Sequence, residues 1–222
     1  MQKFLITTTI LVLICNLTAL AIPLRTGIGQ SDEINYGYLS YLEFDVVKEL
    51  NLARSQPKIY AGFLMPFLHM FNGNEFREPG EICLLTKEGR SAVSEAIIFL
   101  ENQDSIPVLF ASPGLSKAAS DMVRMQEVTS QTGHIGTDGS RFCDRISRYG
   151  LWDGLCAENI DYGYNTARKI VLALIIDDGV RNRGHRHSIF NPRFRRVGVA
   201  CGRHKKFNYM CVIELAQSYT EK

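Results

Sequence analysis

Three polar residues at the ends of apolar stretches have the types needed for one shared site: His134, Glu158 and His185. Each stands beside glycine or alanine, in Gly133-His134, Ala157-Glu158-Asn159 and Gly184-His185. Small neighbours let one backbone pass close to another, so positions far apart in sequence can converge on one cleft. Two neutral imidazoles and a carboxylate could hold a divalent cation such as zinc and leave a position open for water or a ligand. Without metal the same groups could act as a proton-transfer cluster, with Glu158 fixing an imidazole tautomer. The competing reading is three unrelated polar residues, each satisfied locally. Asp177 or Asp178 could add a fourth group. A carboxylate at the C-terminal end of a helix opposes the helix dipole, so a specific partner is expected nearby unless the pair is simply solvated.

Other chemistries have weaker support. His187 could chelate together with His185 only on an extended backbone, and Gly184 gives that segment the character of a turn. His69 and His204 fall in expected loops. Ser188 lacks a nucleophile-elbow context, and neither a zinc-protease H-E-x-x-H nor a phosphate-cradling loop occurs. Of the six cysteines, Cys15 lies in the N-terminal leader, leaving Cys83, Cys143, Cys156, Cys201 and Cys211. No C-x-x-C pair exists, which argues against a zinc ribbon or a thioredoxin-like site. Local spacing favours Cys201 with Cys211 and Cys143 with Cys156, leaving Cys83 as the odd thiol.

The elements that must position these residues are readable from hydrophobic period. Val46, Val47, Leu50 and Ala53 share one helical face, and Gln56-Pro57 stops that helix. A short helical piece is expected at 59–64. Residues from about 66 to 90 are irregular, with turn signals at Asn72-Gly73-Asn74 and Glu78-Pro79-Gly80, and read as an insertion or long surface loop. A helix is expected over 91–101. Ser112-Pro113-Gly114 opens another, with Leu115, Ala118, Ala119, Met122 and Met125 in one stripe. A Gly-rich loop follows at 132–140, then a short helix at 142–149 and a turn at 150–154. The next apolar helix covers 166–176. Residues 197–201 and 209–216 read as a terminal hairpin rich in β-branched and aromatic residues. Between helix and hairpin, the stretch from Asp177 to Cys201 compresses carboxylates, glycines, two histidines and a proline against apolar neighbours. Helices followed by a hairpin imply an α+β or layered α-β-α domain.

Met1 to Ala21 reads as a secretory signal peptide: Lys3 is its only charge, an apolar run extends to Leu20, and Ala19-Leu20-Ala21 forms a small-x-small cleavage site. No later run reaches the roughly 20 apolar residues of a spanning helix, so an exported protein without a stable membrane span is expected. Residues 22–40 read as an extended arm, and 41–222 as a single domain. A formal net charge of +2 favours neither nucleic acid nor an anionic membrane as partner.

The motif order Gly133-His134, Ala157-Glu158-Asn159-Ile160, Gly184-His185-Arg186 and Phe194-x-x-Val197-Gly198-Val199-Ala200 resembles the CAP superfamily of cysteine-rich secretory proteins, antigen 5 and pathogenesis-related 1. The chain looks closest to the simpler SCP-domain form of microbes, and the resemblance spans about residues 44–216. It implies a three-layer α-β-α sandwich with a small central antiparallel sheet, whose cleft carries His134, His185, Glu158 and a second acid. Asp177, one turn after Leu174, is the expected second acid where the family commonly shows glutamate. Gly-His-Arg stands in place of the Gly-His-Tyr-Thr-Gln of animal and plant members, and no cysteine-rich tail follows Ala216. The resemblance implies a secreted, monomeric binding module able to hold zinc or another divalent cation, with no organic cofactor. Its alternatives are a peptidase-like metal-assisted hydrolase, a sterol or lipid binder, and a defence or interaction protein acting through surface loops.

Overall fold

The computed structural model describes residues 37–222. The expected signal peptide, and residues 22–36 of the expected arm, lie outside the described residues.

Helix α1, Tyr41–Ser55, starts where the sequence supplies a reciprocal cap. The Glu43 amide donates to Ser40 Oγ at 3.3 Å, and the Ser40 amide donates to Glu43 Oε2 at 2.7 Å. This satisfies donors that a helix start otherwise leaves open. Glu43 Oε1 also accepts from the Cys201 amide at 3.0 Å, so the cap fastens the helix to the sheet. Helix α2, Pro57–Gly62, and a 3-10 turn, Met65–His69, lead into the insertion. That segment is not a bare loop. Strands β1 (Phe71–Asn72), β2 (Glu75–Phe76) and β3 (Leu84–Leu85) form a small antiparallel sheet, with Phe76 packed against Phe67 and Phe71 at centroid distances of 5.1 and 5.0 Å.

Helix α3, Arg90–Asn102, is followed by β4, Phe110–Ala111, and α4, Pro113–Thr129. Leu115, Ala118, Ala119 and Met122 are wholly buried, so the sequence stripe is the face that α4 lays on the sheet. The approach is close because Gly198 has no side chain. A Cβ there would lie 2.1 Å from the Leu115 carbonyl carbon and 2.2 Å from the Ser116 nitrogen. Helix α5, Phe142–Tyr149, continues into β5, Gly150–Tyr162. The expected turn at 150–154 is therefore the first part of a 13-residue strand, with a register irregularity between Asp153 and Cys156. Helix α6 is Ala167–Ile176, helix α7 is Gly184–Ile189, and β6 (Arg196–His204) and β7 (Asn208–Glu221) form the terminal hairpin. Both strands run longer than the sequence reading, leaving only residues 205–207 between them.

The main sheet has the order β4-β6-β7-β5. It is antiparallel through β6, β7 and β5, with the two residues of β4 added parallel to β6. Helices α4 and α5 cover one face; α1 and α6 cover the other, with α2 and α3 behind them. This is the three-layer α-β-α arrangement, and the principal core lies between the sheet and the α1/α6 layer. Strand β5 is an outer edge of the sheet, which puts its Glu158 and Asn159 beside the connections leaving both helical layers.

Cys201 and Cys211 stand opposite each other on β6 and β7 and are joined as a disulfide. The second pairing expected from spacing is corrected: Cys143 on α5 and Cys156 on β5 are free thiols, as is Cys83. Helix α5 packs back on β5 and brings the two sulfurs to 2.8 Å without joining them. From that separation, air oxidation of the purified protein is expected to close this pair and leave Cys83, of the three free thiols among the described residues, reactive to maleimide after denaturation. Closing a loop of this length adds roughly 3 kcal/mol of stability. Labelling of all three thiols after oxidation would refute the expectation.

Candidate functional site

His134 lies in the connection between α4 and α5. Gly133 precedes it at φ +101°, a conformation that L side chains rarely adopt. The backbone is pinned there by a polar triangle. The Gly133 amide donates to Tyr162 Oη at 2.9 Å, Gln126 Nε2 donates to the Gly133 carbonyl at 2.7 Å, and Tyr162 Oη donates to Gln126 Oε1 at 2.7 Å. His134 Nδ1 then meets Glu158 Oε1 at 2.8 Å. The imidazole is 46% exposed while the Glu158 side chain is fully buried.

The other histidine is held in the same manner from the opposite layer. Asp177 ends α6 in the left-handed conformation, φ +57°, which turns its side chain toward α7. Its Oδ1 meets His185 Nδ1 at 2.6 Å, and its Oδ2 accepts from the His185 amide at 2.9 Å. The unfavourable charge at the end of α6 therefore has the specific partner that the dipole argument calls for. Asp178 does something else: it accepts from the Lys87 and Glu88 amides at 2.6 and 2.8 Å and fastens the end of the insertion.

The two rings face each other with centroids 6.4 Å apart and planes inclined by 40°. Four sequence candidates, His134, Glu158, Asp177 and His185, thus come together as two imidazole–carboxylate pairs beside the β5 edge. His187 does not join them. The segment is helical, so residues two apart diverge, and the His187 ring packs edge-on against Phe99 at 6.4 Å. His204 is buried rather than in a loop; its Nε2 bonds the Gln131 carbonyl at 3.0 Å.

Of the buried groups that support the site, Arg145, Arg183 and Glu214 carry no motif, while Arg186 belongs to Gly184-His185-Arg186. Arg145 is wholly buried on α5. It donates to Glu158 Oε2 at 2.5 Å and to the Ser140 carbonyl at 2.9 Å. Glu214, opposite Glu158 in the β5–β7 pairing, is also wholly buried; its Oε1 lies 3.9 Å from Arg145 Nη2. Burial and the neighbouring charge of Glu158 push the Glu214 carboxyl well above its usual range. On the other side, Arg186 donates to the Ile175 and Ile176 carbonyls at 2.5 and 2.9 Å and to Glu95 at 2.8 Å. Arg183 joins Glu88, Glu95 and the Asp177 carbonyl. Hydrogen bonding from Arg183 holds the Glu95 carboxyl below its usual range. Arg186, just after Gly184-His185, was the available signal, since a guanidinium head facing apolar neighbours needs acceptors.

Among the described residues no group of three or more His, Cys, Asp or Glu side chains is placed to hold a metal ion. The hydrogen bonds give the reason. Each carboxylate is occupied by an Nδ1, which leaves the two Nε2 atoms without a carboxylate partner. A carboxylate on Nδ1 is also the usual device for orienting a ligating imidazole. His134 and His185 are thus the two residues whose Nε2 atoms could hold a cation.

No curated protein matches this chain. Among solved structures, an outer surface protein from Borrelia burgdorferi is similar at 16% identity and TM-score 0.43, over 53% of this chain and 80% of that one. An extracellular protein containing an SCP domain from Bacillus anthracis str. Ames is similar at 15% identity and TM-score 0.43, over 57% of this chain and 38% of that one. The model of the cysteine-rich secretory protein family, CAP, matches residues 73–215, from the insertion into the final strand. With that match covering most of the chain and every motif residue of the cleft, the protein belongs to the cysteine-rich secretory protein (CAP) family.

Proposed function

We propose that this chain is a secreted, monomeric extracellular binding module whose cleft takes a divalent cation on His134 and His185. The observation carrying this reading is the pair of matched imidazole–carboxylate contacts, His134 with Glu158 and His185 with Asp177, with the two rings 6.4 Å apart. Each carboxylate fixes its ring so that Nε2 is presented to the cleft. A bound cation would supply a Lewis-acidic point for an oxygen or nitrogen ligand at its open positions. Glu158 and Asp177 act as positioning residues. Glu158 has both oxygens engaged and no exposed side-chain surface, which favours a binding role over the hydrolase alternative in which it would serve as a general base. Among the described residues no helix is long and apolar enough to cross a membrane.

Titrating zinc into the protein is expected to show one ion per chain, with affinity at least about 100-fold weaker in the double variant His134→Ala/His185→Ala. Equal zinc binding by both proteins would defeat the reading.

A further inference from the structure

A separate cavity of about 380 Å³ lies between the insertion sheet, α6 and β5. Its apolar walls include Phe67, Phe71 and Phe76 from the insertion, and Leu172 and Ile176 from α6. Neither cleft histidine lines it. One polar group in it lacks an explanation. Asp161 is only 5% exposed, and its Oδ2 has no hydrogen-bond partner among the described residues. Asp161 lies three residues after Glu158 on the strand and so faces the opposite side of the sheet, toward α6.

The charges on the cavity wall are unequal. Glu78, Asp161 and Asp178 stand against Lys169 alone. Lys169 is already paired with Glu78 and Glu81, each at 3.2 Å, and Asp178 is held by the Lys87 and Glu88 amides. Asp161 Oδ2 is left as a buried acceptor without a donor, and the cavity that Asp161 lines also holds aromatic rings, whose faces attract cations. A buried polar atom without a partner is uncommon in folded proteins and calls for one.

We propose that this cavity binds a small primary amine with an aromatic body, its ammonium donating to Asp161 and its ring packing against the insertion phenylalanines. Three features set the class. The volume suits a compact ligand rather than a long chain. The apolar wall requires a hydrophobic body, and the unpaired acid oxygen with its acidic neighbours disfavours a carboxylate headgroup. The insertion supplies the aromatic wall, which gives the small three-stranded sheet a use in recognition.

Burial pushes the Asp161 carboxyl up to about 8, against the opposing hydrogen bond from the Tyr164 backbone. The other titratable groups on the wall are Glu78, Asp178, Lys169, Tyr162 and Tyr164. Burial raises Tyr164 to about 12 and raises Tyr162 as well, so both phenols stay neutral through the relevant range. An ammonium favours ionised Asp161, so binding near neutrality releases a proton, and affinity falls as pH is lowered below that value. The expected loss between pH 8 and pH 6 is about 50-fold.

The test uses calorimetric titration of the full mature chain with tryptamine, indole-3-propionic acid and tryptophol. Tryptamine is expected to saturate the wild type with proton release, and to bind at least about tenfold more weakly to Asp161→Asn. The acid and the alcohol are expected to bind more weakly than the amine to the wild type. Tryptamine binding should be retained in His134→Ala/His185→Ala, which separates this site from the cation cleft. No saturable tryptamine binding to the wild type, equal binding by Asp161→Asn, or equal binding of the acid would each overturn the proposal. The ligand series on the wild type decides the matter even should Asp161→Asn fold poorly.

Discussion

Arg145→Met is expected to destabilise the protein by about 3–5 kcal/mol, as breaking a buried charge pair from one side does. For a domain of this size, that lowers the thermal midpoint by about 8–15 °C. The magnitude follows from what Arg145 leaves behind. Glu158 and Glu214 lie opposite each other on neighbouring strands with no exposed side-chain surface, and Arg145 is the cation between them. Methionine fills part of the space but leaves the Glu158 carboxylate buried without its cation. The Ser140 carbonyl also loses its donor, freeing the loop that carries His134. Adding Glu158→Gln to Arg145→Met should restore part of the stability, because the unpaired charge is then removed. Thermal and urea unfolding of the two single variants and the double variant give the coupling directly. A change below about 1 kcal/mol in Arg145→Met would contradict this account.

Arg54→Leu is expected to have an effect of similar size, about 3–5 kcal/mol, through a different device. Arg54 is wholly buried near the end of α1, and its partners are backbone carbonyls rather than an acid. Its guanidinium donates to Pro107 at 2.9 and 2.7 Å, to Ile189 at 2.5 Å, to Asn191 at 3.1 Å and to Phe194 at 3.0 Å. One side chain thus satisfies the irregular backbone entering β4 and the connection from α7 to β6. Burial and the charge of Arg195 pull its pKa down to about 10, still far enough above neutrality to keep it charged. Leucine would leave these carbonyls without their donor in a dry interior. Because α7 carries His185, hydrogen exchange should speed up across residues 184–194 as well as near the substitution. Unchanged exchange there would show that α7 is held by other means.

The helical layers were largely legible in the sequence because their signals are local. Ser112 and Pro113 mark the start of α4, and its wholly buried stripe follows the 3.6-residue period. Strand β5 was less legible: Gly150, Trp152, Asp153 and Gly154 read as a turn, yet pairing with β7 and a bulge extend the strand through them. A single edge pairing defines that segment, not an alternating pattern. Helix α7 has no apolar period either; Asp177 accepts its early amide and Arg54 takes the Ile189 carbonyl. At the site, residue types and small neighbours marked both histidines and Glu158, whereas Asp177 was offered together with Asp178 and singled out by the family resemblance and its place one turn after Leu174. Arg145 and Glu214 gave no such mark, because a buried charge within a helix and an acid within an apolar strand acquire meaning only when α5 and β7 close around Glu158.

Adjacent residues of one strand serve opposite helical layers. Glu158 reaches His134, which hangs from the α4–α5 side, while Asn159 Nδ2 donates to the His185 carbonyl, on the α6–α7 side, at 3.4 Å. The gap between the rings is thus a calliper on the whole sandwich: sliding one outer sheath past the other would open or shut it before disturbing either pair. Anything lodged between the rings would strap the two sheaths together across the rim of the sheet, making mechanical stiffness and occupancy two readings of a single distance.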